Sequence, residues 1–443
     1  MFLAQYLETF WRLLVSPFTQ GVMLFVYKFV PFVLFFEVPV YAVVFLGIFR
    51  HVLRQYQELP SARAYHPVVS CLVLGYREGE AIQTAIRSLM EQVYPGLVEI
   101  IVIIDGAGQN AATLDAAKRM EPEVAGLPRR RLVVVPKWQR GGRVSSLNAG
   151  LSLARGEILM VLDGDTSFDN CMIAEGTKHF QDPNVVGVAG SLRVRNVTAS
   201  LWTRLQAIEY LLSIHATKVG LSELNTVNNI SGAFGIFRRS FIQDIGGWDS
   251  GTAEDLDLTL RIKNYFGRHP NLRIAFEPNA VGHTDVPVSL KAFLMQRLRW
   301  DGDLFYLYIR KHRLSFQPAI LGWRNFIMIL WTGLFFQLAL PFVIVVYSIW
   351  TLLMLPPGYV LGVWSVVYLF YLLVTLMFYS VFMLFVSDRP TQDLRLVLWL
   401  PLFPLFTFIT RIWGGIATLW EMAFKAHLDS SMAPYYVLRK TKF

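Results

Sequence analysis

"GGRVSSLNAGLSLARGEILMVLDGDTS", residues 141–167, reads as a Gly-Gly turn, a helix, an Arg-Gly break and a buried strand. The strand ends on two carboxylates one residue apart, Asp163 and Asp165, pinned by a glycine. Upstream the same alternation repeats. "VVSCLVLGY" (68–76) has a strand pattern and "REGEAIQTAIRSLMEQVYP" (77–95) a helical one. "VEIIVIIDG" (98–106) is again a strand, a helix is expected near 110–120, and "RRLVVVP" (130–136) is a strand. Strands alternating with helices predict an open α/β sheet, mostly parallel and covered on both faces. In such sheets ligands collect at the carboxyl ends of the strands, where Asp105, Asp163 and Asp165 lie.

This block is enclosed by apolar sequence. The 443 residues are 54% hydrophobic and 14% aromatic, with 16% charged; soluble domains average roughly 25% charged. The net charge of +9 is explained by basic residues gathering on the cytoplasmic side of a membrane protein. No Lys/Arg stripe interleaved with aromatics marks a soluble module, so nucleic acid is not an expected partner. Two cysteines, Cys71 and Cys171, cannot build a disulfide framework and read as reduced, buried thiols. The N-terminus lacks the pattern of a cleaved signal peptide.

Between Asn325 and Ser387 there is no charged residue or histidine, and "LPPGYV" (355–360) breaks the run. Two spanning helices joined by a turn follow, since about 20 apolar residues cross a bilayer. The sequence thus divides into an amphipathic interfacial segment (1–28), a spanning helix (29–50), a cytoplasmic α/β domain (65–284) and interfacial helices (285–320). Spans at 325–355 and 360–387, a spanning or in-plane helix (396–422) and a basic tail (423–443) complete it. Glu37 and Arg411 interrupt apolar runs. The plain expectation is that Glu37 lies near a headgroup and Arg411 snorkels; the sharper one is that they line a hydrated path.

Taken singly, the polar motifs are ambiguous. Asp163-x-Asp165 suits a Mg²⁺ or Mn²⁺ ion that also holds phosphate oxygens, but also an ordinary turn. Glu254 and Asp255, at the start of a helical pattern, can cap that helix or supply a general base. Gln296, Arg299 and Trp300 share one helical face, which can bind an anion and stack a ring, or lie on a membrane surface.

Together they are specific. Asp105, Asp163-Gly164-Asp165, Glu254-Asp255 and Gln296-x-x-Arg299-Trp300 stand in the order and spacing of the membrane-embedded, processive family 2 glycosyltransferases. The chain resembles these cellulose, chitin, hyaluronan and poly-N-acetylglucosamine synthases, and the last most closely in length and architecture. The resemblance implies a GT-A domain set between membrane helices, with its catalytic part in the cytoplasm of a bacterial plasma membrane. It also implies a UDP-sugar donor, a Mg²⁺ or Mn²⁺ cofactor, a growing polysaccharide acceptor and inverting transfer that makes β-linkages. With so few spans, a complete channel calls for membrane lipid contacts and an accessory subunit or a homo-oligomer.

Carried over by residue, Tyr76, Glu78 and Asp105 border the nucleotide base, Asp163 touches the nucleotide and Asp165 the metal. Asp255, beside Glu254, is the base. Ser231 and Gly232 of "NISGAFGIFRR" lie beneath the incoming sugar. Gln296 and Arg299 hold the diphosphate, and Trp300 stacks the acceptor. Three positions depart from the family: Arg77 where Asn is usual, "IDGAGQN" for an Asp-Asp-Gly-Ser run, and Arg143 for a lysine beside the diphosphate. His283 of "VGHTDVP" is given no role. Two other readings stay open: a single-transfer enzyme acting on a lipid such as polyprenyl phosphate or ceramide, and a non-catalytic channel subunit.

Overall fold

A computed structural model of the chain describes residues 2–20, 37–57, 65–249 and 251–429. Parts of the expected segments 1–28 and 29–50, and tail residues 430–443, therefore lie outside the described residues. Helix α1 (Phe2–Gln20) and helix α2 (Val38–Gln57) precede the sheet. The α/β block then runs β1 (Val69–Gly75), α3 (Ala81–Met90), β2 (Val98–Asp105), α4 (Ala111–Lys118) and β3 (Arg130–Lys137). Next come α5 (Gly142–Leu153), β4 (Ile158–Asp163), β5 (Ser167–Phe168), α6 (Met172–Lys178) and β6 (Val185–Val194). It continues through α7 (Leu201–Glu209), α8 (Thr217–Glu223), β7 (Phe234–Arg238), α9 (Glu254–Lys263) and β8 (Arg273–Thr284).

These eight strands form one sheet in the order β3-β2-β1-β4-β7-β6-β8-β5. The first four pair in parallel, and β7 joins β4 and β6 antiparallel. Beyond β6 the sheet continues with parallel β8 and antiparallel β5. Every residue of β1, β2 and β6 is buried, as continuous Val/Ile/Leu runs covered on both faces require. Leu74 pairs with Asp163 and Gly75 with Ile104, so parallel pairing brings the ends of β1, β2 and β4 to one edge. The sequence order alone puts Asp105 and Asp163 there. One thiol departs from expectation: Cys71 is buried in β1, but Cys171 is exposed, because it sits at the start of α6 rather than in a strand.

From β8 the chain enters α10 (Leu290–Phe305), whose start is capped by Ser289 accepting from the Ala292 amide. Among the described residues three helices are long and apolar enough to cross a membrane: α11 (Trp323–Met354), α12 (Pro357–Phe385) and α13 (Pro390–Phe424). Helix α1 packs lengthwise on α12 instead of standing off from it. A Cβ on Gly358 would lie 3.0 Å from Gln5 Oε1, and one on Gly362 2.9 Å from Thr9 Cγ2. Small residues four apart permit such close approach of helices in lipid.

The membrane and sheet regions are bolted together by charge. The loop between α12 and α13 presents Asp388 and Arg389, and the first turn of α13 presents Asp393. Arg193 of β6 donates to Asp393 at 2.8 and 3.1 Å and pairs with Asp388. Arg389 pairs with Asp169, which also accepts from His283 Nε2 at 2.9 Å. On the other side, α2 meets α8 backbone to backbone. A Cβ on Gly47 would fall 2.1 Å from Gly220 O, so neither glycine admits a side chain.

Glu37 and Arg411 both have partners within the folded chain. Glu37 is buried and accepts from Tyr41 and Tyr371 hydroxyls at 3.3 and 3.2 Å. Arg411 donates to Phe336 O at 2.8 Å and covers the Phe336 ring at 3.9 Å. Protein groups replace water at both sites, which removes the need to reach a headgroup.

Lys263, at the end of α9, is fully buried, and its Nζ has no hydrogen-bond partner among the described residues. Burial pushes its pKa down to about 7. Above that pH the unfolded chain holds a proton that the folded one lacks, so stability rises with pH up to the ordinary lysine value near 10.4. Lys263→Met is expected to raise the thermal midpoint at pH 7 by about 3 °C or more and to flatten its rise between about pH 7 and 10. Thermal unfolding of the purified protein across pH measures both.

Candidate active site

Asp105 ends β2, and both of its oxygens are engaged. Oδ1 accepts from Lys137 Nζ and the Gly141 amide, and Oδ2 from the Gly142 amide, each at 2.9 Å. Asp105 therefore clamps the β3–α5 loop that leads into Arg143. The side chains above it are Tyr76 and Arg140, whose guanidinium covers the Tyr76 ring at 4.4 Å. Arg77, next to Tyr76, adopts φ 67°, a left-handed conformation that Asn tolerates better than Arg.

Arg143, in the first turn of α5, is the hub of the site. Its Nη1 donates to Asp163 Oδ1 and its Nη2 to Gly232 O, both at 2.6 Å, while Nε pairs with Glu254. One planar fork thus ties the end of β4, the loop before β7 and the start of α9. Burial opposes its charge, but the Asp163 and Glu254 carboxylates outweigh that and raise its pKa. Glu254, buried, has its pKa raised by desolvation against the pull of Arg143.

Asp255 points the other way. Its Oδ2 accepts from Asn229 Nδ2 at 3.1 Å and the Gly232 amide at 3.0 Å, and Oδ1 from the Leu256 amide at 2.7 Å. Gly232 lies between the two carboxylates: its amide donates to Asp255, its carbonyl accepts from Arg143, and a Cβ there would lie 2.8 Å from Glu254 Oε1. Ser231, just before it, accepts from the Ala233 amide at 3.3 Å and shapes the same turn.

Across the site the Asp165 carboxylate accepts from the neighbouring Thr166 hydroxyl while its carbonyl accepts from Arg195, and burial and then Asp163 raise its pKa. Glu78 joins them. Its pKa rises to about 7 through burial and then through Asp165 and Asp163. Glu78 thus lies within reach of the fields of the acidic pair. Such uncompensated carboxylates, with hard oxygen donors, fit a divalent cation. Among the described residues no group of three or more His, Cys, Asp or Glu forms a metal cage by itself. The arrangement suits an ion bound by one or two carboxylates and completed by phosphate oxygens.

Helix α10 carries Gln296, Arg299 and Trp300. Gln296 Oε1 is buried with no hydrogen-bond partner among the described residues. Trp300 is 38% exposed, which leaves a ring surface open. Its other neighbour is Arg297, 4.8 Å from the ring centroid, which also lies 5.1 Å from the Phe293 ring and pairs with Glu209 of α7.

The model of the family described as "Glycosyltransferase like family 2" matches residues 66–302. The chain belongs to this family. It is 30% identical over 239 residues to a poly-β-1,6-N-acetyl-D-glucosamine synthase of Staphylococcus epidermidis, covering 52% of this chain and 53% of the relative. Over 238 residues it is 30% identical to the synthase of the same name from Staphylococcus aureus, with the same coverage. The match thus spans about half the length of these curated relatives. Among solved structures, a mannosyltransferase from Pyrobaculum calidifontis in complex with GDP-Man and Mn²⁺ superposes with a TM-score of 0.50 and 17% identity. That alignment covers 88% of this chain and 98% of the other, and it shares the GT-A-like fold. The protein is a family 2 glycosyltransferase, with a GT-A-like sheet followed by the three apolar helices.

Sequence reading missed four residues of this glycosyltransferase site. Asn229 heads the quoted "NISGAF" stretch, Lys137 ends the third strand, Arg297 lies inside "QRLRW", and Asp303 follows in "RWDGD". Only the last two carried a signal, as Asp301 stands four residues after Arg297 and Asp303 four after Arg299 on one helix.

Because Arg143 serves three acceptors, Arg143→Lys is expected to lower the initial rate of sugar transfer roughly tenfold or more. Arg143→Gln leaves Asp163 and Glu254 uncompensated and is expected to fall further, with a lower thermal midpoint. Initial rates and unfolding scans on the same preparations check both.

Proposed function

We propose that this glycosyltransferase polymerises a UDP-activated sugar into a β-linked polysaccharide by inverting transfer. We infer that the product passes through the adjoining membrane helices. The observation that carries the reading is the fixed orientation of Asp255, held by Asn229 and the Gly232 amide across the Arg143 fork from Asp163. The synthase names of the relatives favour N-acetylglucosamine as the sugar.

In this reading Asp255 accepts the proton of an acceptor hydroxyl as its oxygen attacks the anomeric carbon opposite the leaving group. The bond to the diphosphate breaks, and UDP departs. Asp165, with Asp163 and Glu78 close by, would hold a Mg²⁺ or Mn²⁺ ion with the donor phosphates. When bound, such an ion supplies positive charge to the leaving group. Arg299 and Gln296 support the diphosphate from α10, and Arg143 keeps Glu254 and Asp163 in register. Tyr76 and Asp105 shape the nucleotide end, Asp105 through the loop that it clamps. Ser231 and Gly232 form the floor under the acceptor sugar, and Trp300 stacks it in line. The α/β domain then faces the cytoplasm, the side that holds nucleotide sugars.

Membrane vesicles supplied with individual radiolabelled UDP-sugars test the reading. It expects a polymer from one of them that a defined glycosidase digests. A single labelled glycolipid would instead establish a lipid acceptor, and no incorporation from any UDP-sugar would reject the donor class.

Asp255→Asn is expected to lower transfer by about 100- to 10,000-fold while UDP binding stays near normal. Asp165→Ala should weaken donor binding in the presence of Mg²⁺ or Mn²⁺, and isothermal titration with and without EDTA measures it. Trp300→Ala should reduce polymer yield far more than donor hydrolysis, because water needs no stacking surface. Equal loss of both activities would show that Trp300 only packs the helix.

A further inference from the structure

We propose that Thr252 and Asp303 form a latch that holds the turn carrying Glu254 and Asp255 against helix α10, making both positioning residues for the transfer step. The inference rests on Asp255 acting as the base. Thr252 Oγ1 donates to Asp303 Oδ2 at 2.5 Å, and both residues are buried, at 3% and 6% exposure. The two belong to different segments, the loop entering α9 and the helix that carries Arg299 and Trp300; farther along, Lys311 pairs with Asp249 and Asp257. Asp303 stands one helical turn beyond Arg299, so the same carboxylate faces both the loop and the diphosphate arginine. Arg299, Glu421 and Glu254 are the charged groups whose fields reach it.

The residue between the latch and the acids explains why a latch is needed. Ala253 adopts φ 41° and ψ 47°, a left-handed conformation that a residue with a β-carbon avoids. Its carbonyl also accepts the first helical hydrogen bond of α9, from the Asp257 amide at 3.0 Å. The dihedral angles of Ala253 therefore set the direction in which α9 departs, and with it the aim of Glu254 and Asp255. Strained backbone persists only where its surroundings over-determine it. Thr252 is the side chain that ties this bend to a second element. Released from Asp303, the bend relaxes, and the Asp255 carboxylate swings away from the acceptor hydroxyl while the donor cradle of Asp163, Asp165 and Arg143 stays in place.

The full-length protein in membrane vesicles, assayed for kcat and donor KM, decides the matter. Thr252→Val is expected to lower kcat by roughly 10- to 100-fold, as a displacement of about 1 Å does, with donor KM changed less than about threefold. Thr252→Ser keeps the hydroxyl and should restore kcat to near the wild-type value. Thr252→Val combined with Asp303→Ala should be no worse than the worse single variant, since both break one bond. A Thr252→Val enzyme with kcat within twofold of wild type, or losses that multiply in the double variant, would overturn the latch. So would a loss of activity that merely tracks the folded fraction in a thermal scan. Asp255→Asn is assayed in parallel. If it transfers sugar normally, the base assignment itself falls, which is distinct from a normal latch variant beside an inactive Asp255→Asn.

Discussion

A buried guanidinium organises this molecule. Arg143 is surrounded by two carboxylates and a carbonyl that come from three separate parts of the chain, and none of them would be stable in that position without it. Two acids facing each other in a low-dielectric cleft repel strongly, and an unpaired buried charge costs several kcal/mol. The arginine turns that repulsion into geometry. Because its fork is planar, the end of β4, the Gly232 turn and the start of α9 take fixed angles to one another. Asp105 in turn fixes the arginine's own loop, so the chain of constraint runs from the sheet edge to the acidic pair at the mouth of α9.

The same economy appears at the membrane. Arg193 and Arg389 each pair with acids across the junction, and the Arg389 cluster adjoins the short strand that follows Asp165. His283, to which sequence reading assigned nothing, belongs to the second cluster through its bond to Asp169. A strand edge next to the acidic pair is thus tied directly to the loop joining two membrane helices. Exposed ion pairs contribute little, but Arg193 and Asp393 are both buried, so breaking this contact would leave charge stranded.

Much of the architecture was legible because it depends on periodicity. Continuous runs such as "VEIIVIID" can be satisfied only by strands covered on both faces, and an uncharged stretch broken at Leu355–Pro356 can only turn between two helices. The acidic motifs were legible because parallel strands deliver their ends to one edge. What the sequence hid was pairing at long range. Arg143 meets partners 20, 89 and 111 positions away, and nothing local distinguishes that use from a phosphate-binding arginine. Nor did the sequence reveal that Glu78 lies within the fields of Asp163 and Asp165. The partners of Glu37 and Arg411, such as Tyr371 and Phe336, also lie far along the chain. Cys171 shows the converse: an apolar neighbourhood in sequence is not burial when the residue opens a surface helix.

The contact of Gly47 with Gly220 has a mechanical consequence. Where two backbones touch with no side chains between them, there is no soft layer to shear, and a tilt of one helix must be carried by the other. Helix α2 and helix α8 therefore act as one rigid strut beside the sheet. Any relative movement of the apolar helices and the sheet has to be accommodated elsewhere, in elements joined by longer side chains such as α10. The strut is the stationary frame against which such a movement would be measured.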